Sequence, residues 1–134
     1  MIKLPSDVDI EELINDLRII SWEASEILIY YARILKDSDD KSNILKNENF
    51  DDPVTVADLK VNQIVIEGIN KKYKKIDWGI LSEESVKLFP KNSNIHKDWL
   101  WVLDPLDGTK DFIEGSSNYA MHLALNYKGK PYLG

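Results

Sequence analysis

Apolar residues keep one period through the first half of this chain and another through the second. Ile10, Leu13, Ile14, Leu17, Ile20, Ala24, Ile27, Leu28, Tyr31 and Leu35 recur at the three-and-four spacing of a single helix face. That spacing predicts a long amphipathic helix. Its start reads "SDVDIEE", where Ser6 or Asp9 can cap free backbone amides and the acids that follow complement the positive end of the helix dipole. A second helix is expected from about Val56 to Lys75, with Val61, Ile64, Val65, Gly68 and Ile69 on one side and "KKYKK" at its C-terminal end. The pattern then changes, because "DWGIL" and "WLWVLD" are short, aromatic and branched, as strands are. From Tyr119 it alternates. Tyr119, Met121, Leu123, Leu125 and Tyr127 fall on one side, Ala120, His122, Ala124 and Asn126 on the other, and "KGK" offers a turn into "PYLG". Without repeat or linker, this order predicts one α/β unit of the α+β kind: two long helices packed on a largely antiparallel sheet.

Composition excludes several classes of function. A chain of 134 residues that is 43% hydrophobic and 30% charged is ordinary for one globular domain. No apolar run approaches the roughly 20 residues of a membrane span, and the start "MIKLPSDVDI" lacks a basic segment followed by a long apolar one. With no cysteine for a disulfide framework or thiolate site, a cytoplasmic location is expected. The net charge of −6 argues against non-specific contact with nucleic acid or an anionic membrane. Small anions stay open, because a bound divalent cation inverts the local sign of a site. The "KKYKK" lysines read either as a phosphate patch or, more plainly, as a solvated helix end.

Chemistry concentrates in "WLWVLDPLDGTKDF". "DPLDG" alone is good turn material, since Pro presets φ, Asp bonds nearby amides and Gly permits unusual backbone angles. Its placement says more. A strand delivering Asp104 at its end, with Asp107 next, aims two carboxylates into one small volume, where two like charges call for a cation. Oxygen donors without cysteine select Mg²⁺, Mn²⁺ or Ca²⁺, and the Pro105–Asp107 turn can add the Leu106 carbonyl. The amides of Gly108 and Thr109 follow, suited to a phosphate if a helical turn starts there. Upstream, "ILSEES" brings Glu83 and Glu84 to a strand end, one of which an adjacent strand could carry to the same rim. "PVTVADL" sets Thr55 three residues before Asp58, the pattern of a capping box.

Together, "DDPVTVADLKVNQIVIEGI", "LSEES" and "WVLDPLDGTKDF" resemble the N-terminal half of the inositol monophosphatase superfamily of Mg²⁺-dependent phosphatases. Lys110, Asp111 and Phe112 after Gly-Thr, with "PVTVAD", are most similar to the CysQ-type 3'(2'),5'-bisphosphate nucleotidases. The resemblance implies the N-terminal part of a layered sandwich, with residues 1–134 forming the metal-binding half and the C-terminal half absent. It implies two or more Mg²⁺ ions: Glu83, Asp104 and the Leu106 carbonyl on one, Asp104 and Asp107 on a second. Thr109, held by Asp58, would orient and deprotonate the attacking water with Glu83 assisting, while the Gly108 and Thr109 amides hold the phosphate and Lys46 lies in a loop over the site. The implied reaction removes the 3'-phosphate of adenosine 3',5'-bisphosphate to give AMP, the clearing of a by-product of sulfate activation. The partner is then a small phosphate ester. Because the family's remaining metal ligand lies in the C-terminal portion, little activity is expected of these residues alone, and an open sheet edge favours homo-oligomers.

Other readings compete for the same residues. An inositol or other sugar phosphate is the first. A calcium-binding module is the second, since Asp37, Asp39, Asn43, Ile44 and Glu48 match the offsets of an EF-hand loop. Lys41 would place an ammonium among its ligands, however, and Ser42 stands where the turn needs Gly. A third is a non-catalytic fragment or assembly partner. His96 and His122 sit in no recognisable constellation, so His96 reads as loop and His122 as sheet.

Overall fold

The computed structural model describes residues 1–46, 54–88 and 96–134. Helix α1 spans Ile10–Asp37, capped by Asp9, whose carboxylate accepts the Glu12 amide at 2.9 Å. Helix α2 spans Val56–Tyr73, two residues shorter at its end than the lysine run suggests. The periodicity translates into burial: α1 sinks Leu13, Ile20, Ala24, Leu28 and Leu35, and α2 sinks Ala57, Val61, Val65, Ile69 and Tyr73. Each Leu, Ile or Val among them contributes roughly 1.5–3 kcal/mol through area removed from water. The helices approach closely at Gly68, where an added Cβ would stand 2.9 Å from Ile20 Cδ1. Beside that crossing Asp16 accepts from Lys72 Nζ at 2.7 Å and from the Tyr73 hydroxyl at 2.5 Å. Burial acts to raise the Asp16 pKa, but these two donors outweigh it and hold the carboxyl below its ordinary range.

Four strands follow, β1 (Gly79–Ser82), β2 (Trp99–Asp107), β3 (Ala120–Tyr127) and β4 (Lys130–Leu133), in that order across one sheet. β1 and β2 are parallel, and helix α3 (Glu83–Leu88) lies in the crossover that a parallel pair requires. The other two pairings are antiparallel, so the sheet is largely antiparallel as the pattern suggests. β3 and β4 join through Lys128 and Gly129, whose φ values of 49° and 77° suit a two-residue hairpin turn. α2 packs on β2, and α1 packs on α2. Trp99, Trp101 and Leu103 of β2 enter the core, with Trp101 meeting Trp78 edge-on at 5.4 Å. Among the described residues no helix is long and apolar enough to cross a membrane.

Two local expectations are corrected. β1 stops at Ser82, so Glu83 and Glu84 open helix α3 instead of ending a strand. "DPLD" is not a turn: β2 continues to Asp107, and its register against β3 shifts between Asp104 and Asp107. The calcium-loop reading meets an obstacle too. The carbonyl ligand of such a loop is that of its seventh position, Asn43, so the buried Ile44 and its carbonyl bond to the Val56 amide at 2.9 Å do not decide the matter; the obstacle is the ammonium at the fifth position. Lys41 donates to the Ile113 carbonyl at 2.5 Å. Glu48, the last ligand of that loop, lies outside the described residues.

Candidate metal and phosphate site

In a regular strand residues three apart face opposite sides, which would separate Asp104 from Asp107. The register shift removes that separation. Asp104 stands opposite His122 and Asp107 opposite Ala120, so three steps on β2 match two on β3, and one extra residue is accommodated as a bulge. Pro105, with no amide to offer the ladder, sits within it. Because His122 and Ala120 are two apart, both aspartates come to the same face as His122. The Leu106 amide donates to Asp104 Oδ1 at 3.2 Å and stiffens the bulge.

The parallel pairing brings the third carboxylate. Ser82 is level with Leu103, so the next residue on each chain, Glu83 and Asp104, emerge side by side. Asn62 of α2 fixes that corner: its amide accepts from Ser82 Oγ in a short hydrogen bond and donates to Ser85 Oγ at 3.3 Å. Helical geometry, not strand alternation, separates the two glutamates, leaving Glu83 exposed and Glu84 buried. Burial pushes the Asp104 carboxyl up to about 6, and the neighbouring Glu83 carboxylate adds to the rise, with Asp107 contributing less.

Thr55 and Asp58 form the capping box, and the same residues reach the site. Asp58 accepts the Thr55 amide at 2.8 Å and the Thr55 hydroxyl at 2.5 Å, and its other oxygen faces the Thr109 hydroxyl at 3.2 Å. Burial dominates and raises the Asp58 pKa, while the hydrogen bonds act to lower it. Thr109 has one proton and two acceptors, since the Leu106 carbonyl is 3.0 Å from its oxygen. Gly108 precedes helix α4 (Thr109–Glu114) with φ 83°, and a Cβ there would fall 2.4 Å from the Asn118 carbonyl oxygen. Both the dihedral and the close approach demand glycine. The amides of Gly108 and Thr109 have no partner within α4, as at any helix start. The exposed Lys46 is tied by its backbone amide to the Val54 carbonyl at 2.7 Å, just ahead of Thr55.

His122 is the site residue that sequence reasoning passed over. Its Nε2 is 3.4 Å from Asp107 Oδ2, it stands opposite Asp104, and it lines with Asp104 a groove of about 1190 Å³ that Trp22 and Trp101 also border. Alternation did place it on the polar face; only the strand register reveals its neighbours. His96 is exposed beyond the sheet, before β2.

Among the described residues no three acidic or imidazole side chains enclose a single point as they stand. Glu83 and Asp104 are paired, and Asp107 leans on His122. The donor chemistry still fits a hard divalent cation. Two carboxyl groups are pressed together, one of them pushed up to about 6 by burial and by its neighbour, and a divalent ion between them would relieve that repulsion.

Solved structures share this architecture. The SuhB protein of Bartonella henselae matches with a TM-score of 0.68 at 23% identity, over 90% of this chain and 42% of its own. The IMPase of Thermotoga maritima matches with a TM-score of 0.65 at 22% identity, over 90% and 41%. The fold is therefore that of the inositol monophosphatases. The family model described as "Inositol monophosphatase family" matches residues 9–134, and the chain belongs to that family. Among curated relatives, the 3'(2'),5'-bisphosphate nucleotidase CysQ of Salmonella typhimurium is 37% identical over 86 residues, 63% of this chain and 32% of that protein. The bifunctional phosphatase IMPL2 of Arabidopsis thaliana is 31% identical over 96% of this chain and 34% of its own length. The chain thus spans about a third of the length of the curated relatives it matches.

Proposed function

We propose that residues 1–134 are the N-terminal, metal-binding part of a Mg²⁺-dependent phosphomonoesterase that removes the 3'-phosphate of adenosine 3',5'-bisphosphate to leave AMP. The observation that carries this reading is the side-by-side emergence of Glu83 and Asp104 from a parallel strand pair, with a bulge that keeps Asp107 on the same face as Asp104. Bound Mg²⁺ ions supply a lowered water pKa and neutralise charge on the leaving oxygen. Glu83, Asp104 and the Leu106 carbonyl would hold one ion, and Asp104 with Asp107 a second. Asp58 fixes the Thr109 hydroxyl, which in turn orients the attacking water. The Gly108 and Thr109 amides would bind the phosphate oxygens, with the Lys46 ammonium adding charge from its loop. Water adds to phosphorus, the bond to the 3'-oxygen breaks, and that oxygen takes the proton.

The choice of substrate is supported by the similarity to CysQ and by Lys110, Asp111 and Phe112 after the Gly-Thr pair. Inositol monophosphate is the alternative. Turnover is proposed to need the remainder of the fold that the relatives carry, and the protein to work in the cytoplasm. A phosphate-release screen of the longest natural form against adenosine 3',5'-bisphosphate and inositol monophosphate tests this. The nucleotide should be the better substrate and release should require Mg²⁺. Preference for inositol monophosphate overturns the substrate; release without a divalent cation overturns the mechanism.

A further inference from the structure

We propose that His122 is a positioning residue for the Asp107 carboxylate. This deepens the metal reading above and rests on it. Three observations carry it. The register sets His122 opposite Asp104 and two residues from the partner of Asp107, so the imidazole stands on the face that bears both carboxylates. Its Nε2 lies 3.4 Å from Asp107 Oδ2. The imidazole is mounted on the paired strand β3, whose backbone fixes its Cβ more firmly than a loop would.

Both side chains are well exposed, at 63% and 65%, so the contact is worth little to stability. Its value lies in orientation. Asp107 is the last residue of β2, directly after the bulge, and its side chain is exposed at the strand end. An imidazole N–H turned onto one oxygen across that 3.4 Å would leave the other oxygen for an ion and cut the rotamer freedom that the ion would otherwise have to freeze. Partners of this kind orient ligating carboxylates and typically change metal affinity about 10–100-fold. A neutral imidazole bearing its proton on Nε2 suffices, so no change of charge is required.

The test is a Mg²⁺ titration of the longest natural form, followed through the amide resonances of residues 104 and 106–109 in wild type, His122→Ala, His122→Gln and Asp104→Asn. Exposure of His122 means that both of its variants should keep the wild-type fold, which the remaining resonances report. His122→Ala should weaken Mg²⁺ binding about tenfold or more, and His122→Gln, with an amide donor of similar reach, should recover most of that loss. Unchanged affinity in His122→Ala, with a loss in Asp104→Asn, would overturn the role of His122 and leave the metal reading standing. Equal loss in the Ala and Gln variants would also overturn it. No site-localised response in wild type, or none lost in Asp104→Asn, would overturn the metal reading and this inference with it.

Discussion

Gly108 and Gly115 flank helix α4 with the same φ of 83°, yet their surroundings differ, which makes them a matched pair. A Cβ at Gly115 meets nothing within 4 Å, so Gly115→Ala should cost only the left-handed backbone penalty, about 1 kcal/mol. At Gly108 the same atom would lie 2.4 Å from the Asn118 carbonyl oxygen and 3.3 Å from Tyr119 Cα, both backbone. Relief requires moving the 116–119 segment, with a cost in the range of core overpacking, about 1–3 kcal/mol. Gly108→Ala should therefore lose about 3 kcal/mol in total. For a chain of 134 residues, that is a fall in Tm of roughly 10 °C, against about 4 °C for Gly115→Ala. Thermal unfolding followed by circular dichroism measures both. Equal losses in the two variants would refute the claim that the approach to Asn118 dictates glycine.

Two further predictions concern the site's chemistry. In the longest natural form, Thr109→Ala should lower kcat about a hundredfold while shifting the Mg²⁺ requirement far less, measured by phosphate release across Mg²⁺ concentrations; an unchanged kcat would leave Asp58 a helix cap and Thr109 its structural hydrogen-bond partner. The Glu83–Asp104 pair predicts a pH effect. The Asp104 carboxyl titrates at about 6 in the folded chain against 3.8 ordinarily, so the folded state binds the proton more tightly. Stability without metal should be greatest below pH 3.8, as far as this group is concerned, and fall as pH rises towards about 6. Added Mg²⁺ should raise Tm above pH 6 and do little at pH 5, because proton and cation compete for one place; a Mg²⁺ stabilisation equal at both pH values would contradict this.

Much of the fold could be read from apolar periodicity, because burial decides which face of a helix or strand is apolar. Both long helices, the strand at Trp99, the alternation from Tyr119 and the turn at "KGK" follow from it. Local motifs failed where tertiary pairing overrode them. "DPLDG" has turn chemistry, but pairing with β3 continues through it, and the extra residue becomes a bulge. "SEES" follows an extended segment, yet Asn62 bonds to both serines and the chain turns helical there. In the site, Asp104, Asp107 and Thr109 were legible because they are near one another in sequence. His122 was not, since its neighbours are set by register across two strands, a quantity that no local pattern encodes.

The central claim is that Asp104 is the charge around which the site is organised. Mg²⁺-dependent phosphate release from adenosine 3',5'-bisphosphate by the longest natural form, wild type against Asp104→Asn, tests it most directly. The substitution removes a charge while preserving shape at a half-buried position, so Tm without metal should hold or rise as the repulsion from Glu83 is relieved. Turnover should fall by at least about a thousandfold, the loss of a metal-bridging carboxylate reading directly as lost transition-state stabilisation. A variant that hydrolyses the substrate within about tenfold of wild type at the same Mg²⁺ concentration, a difference of only about 1.4 kcal/mol, would contradict the account.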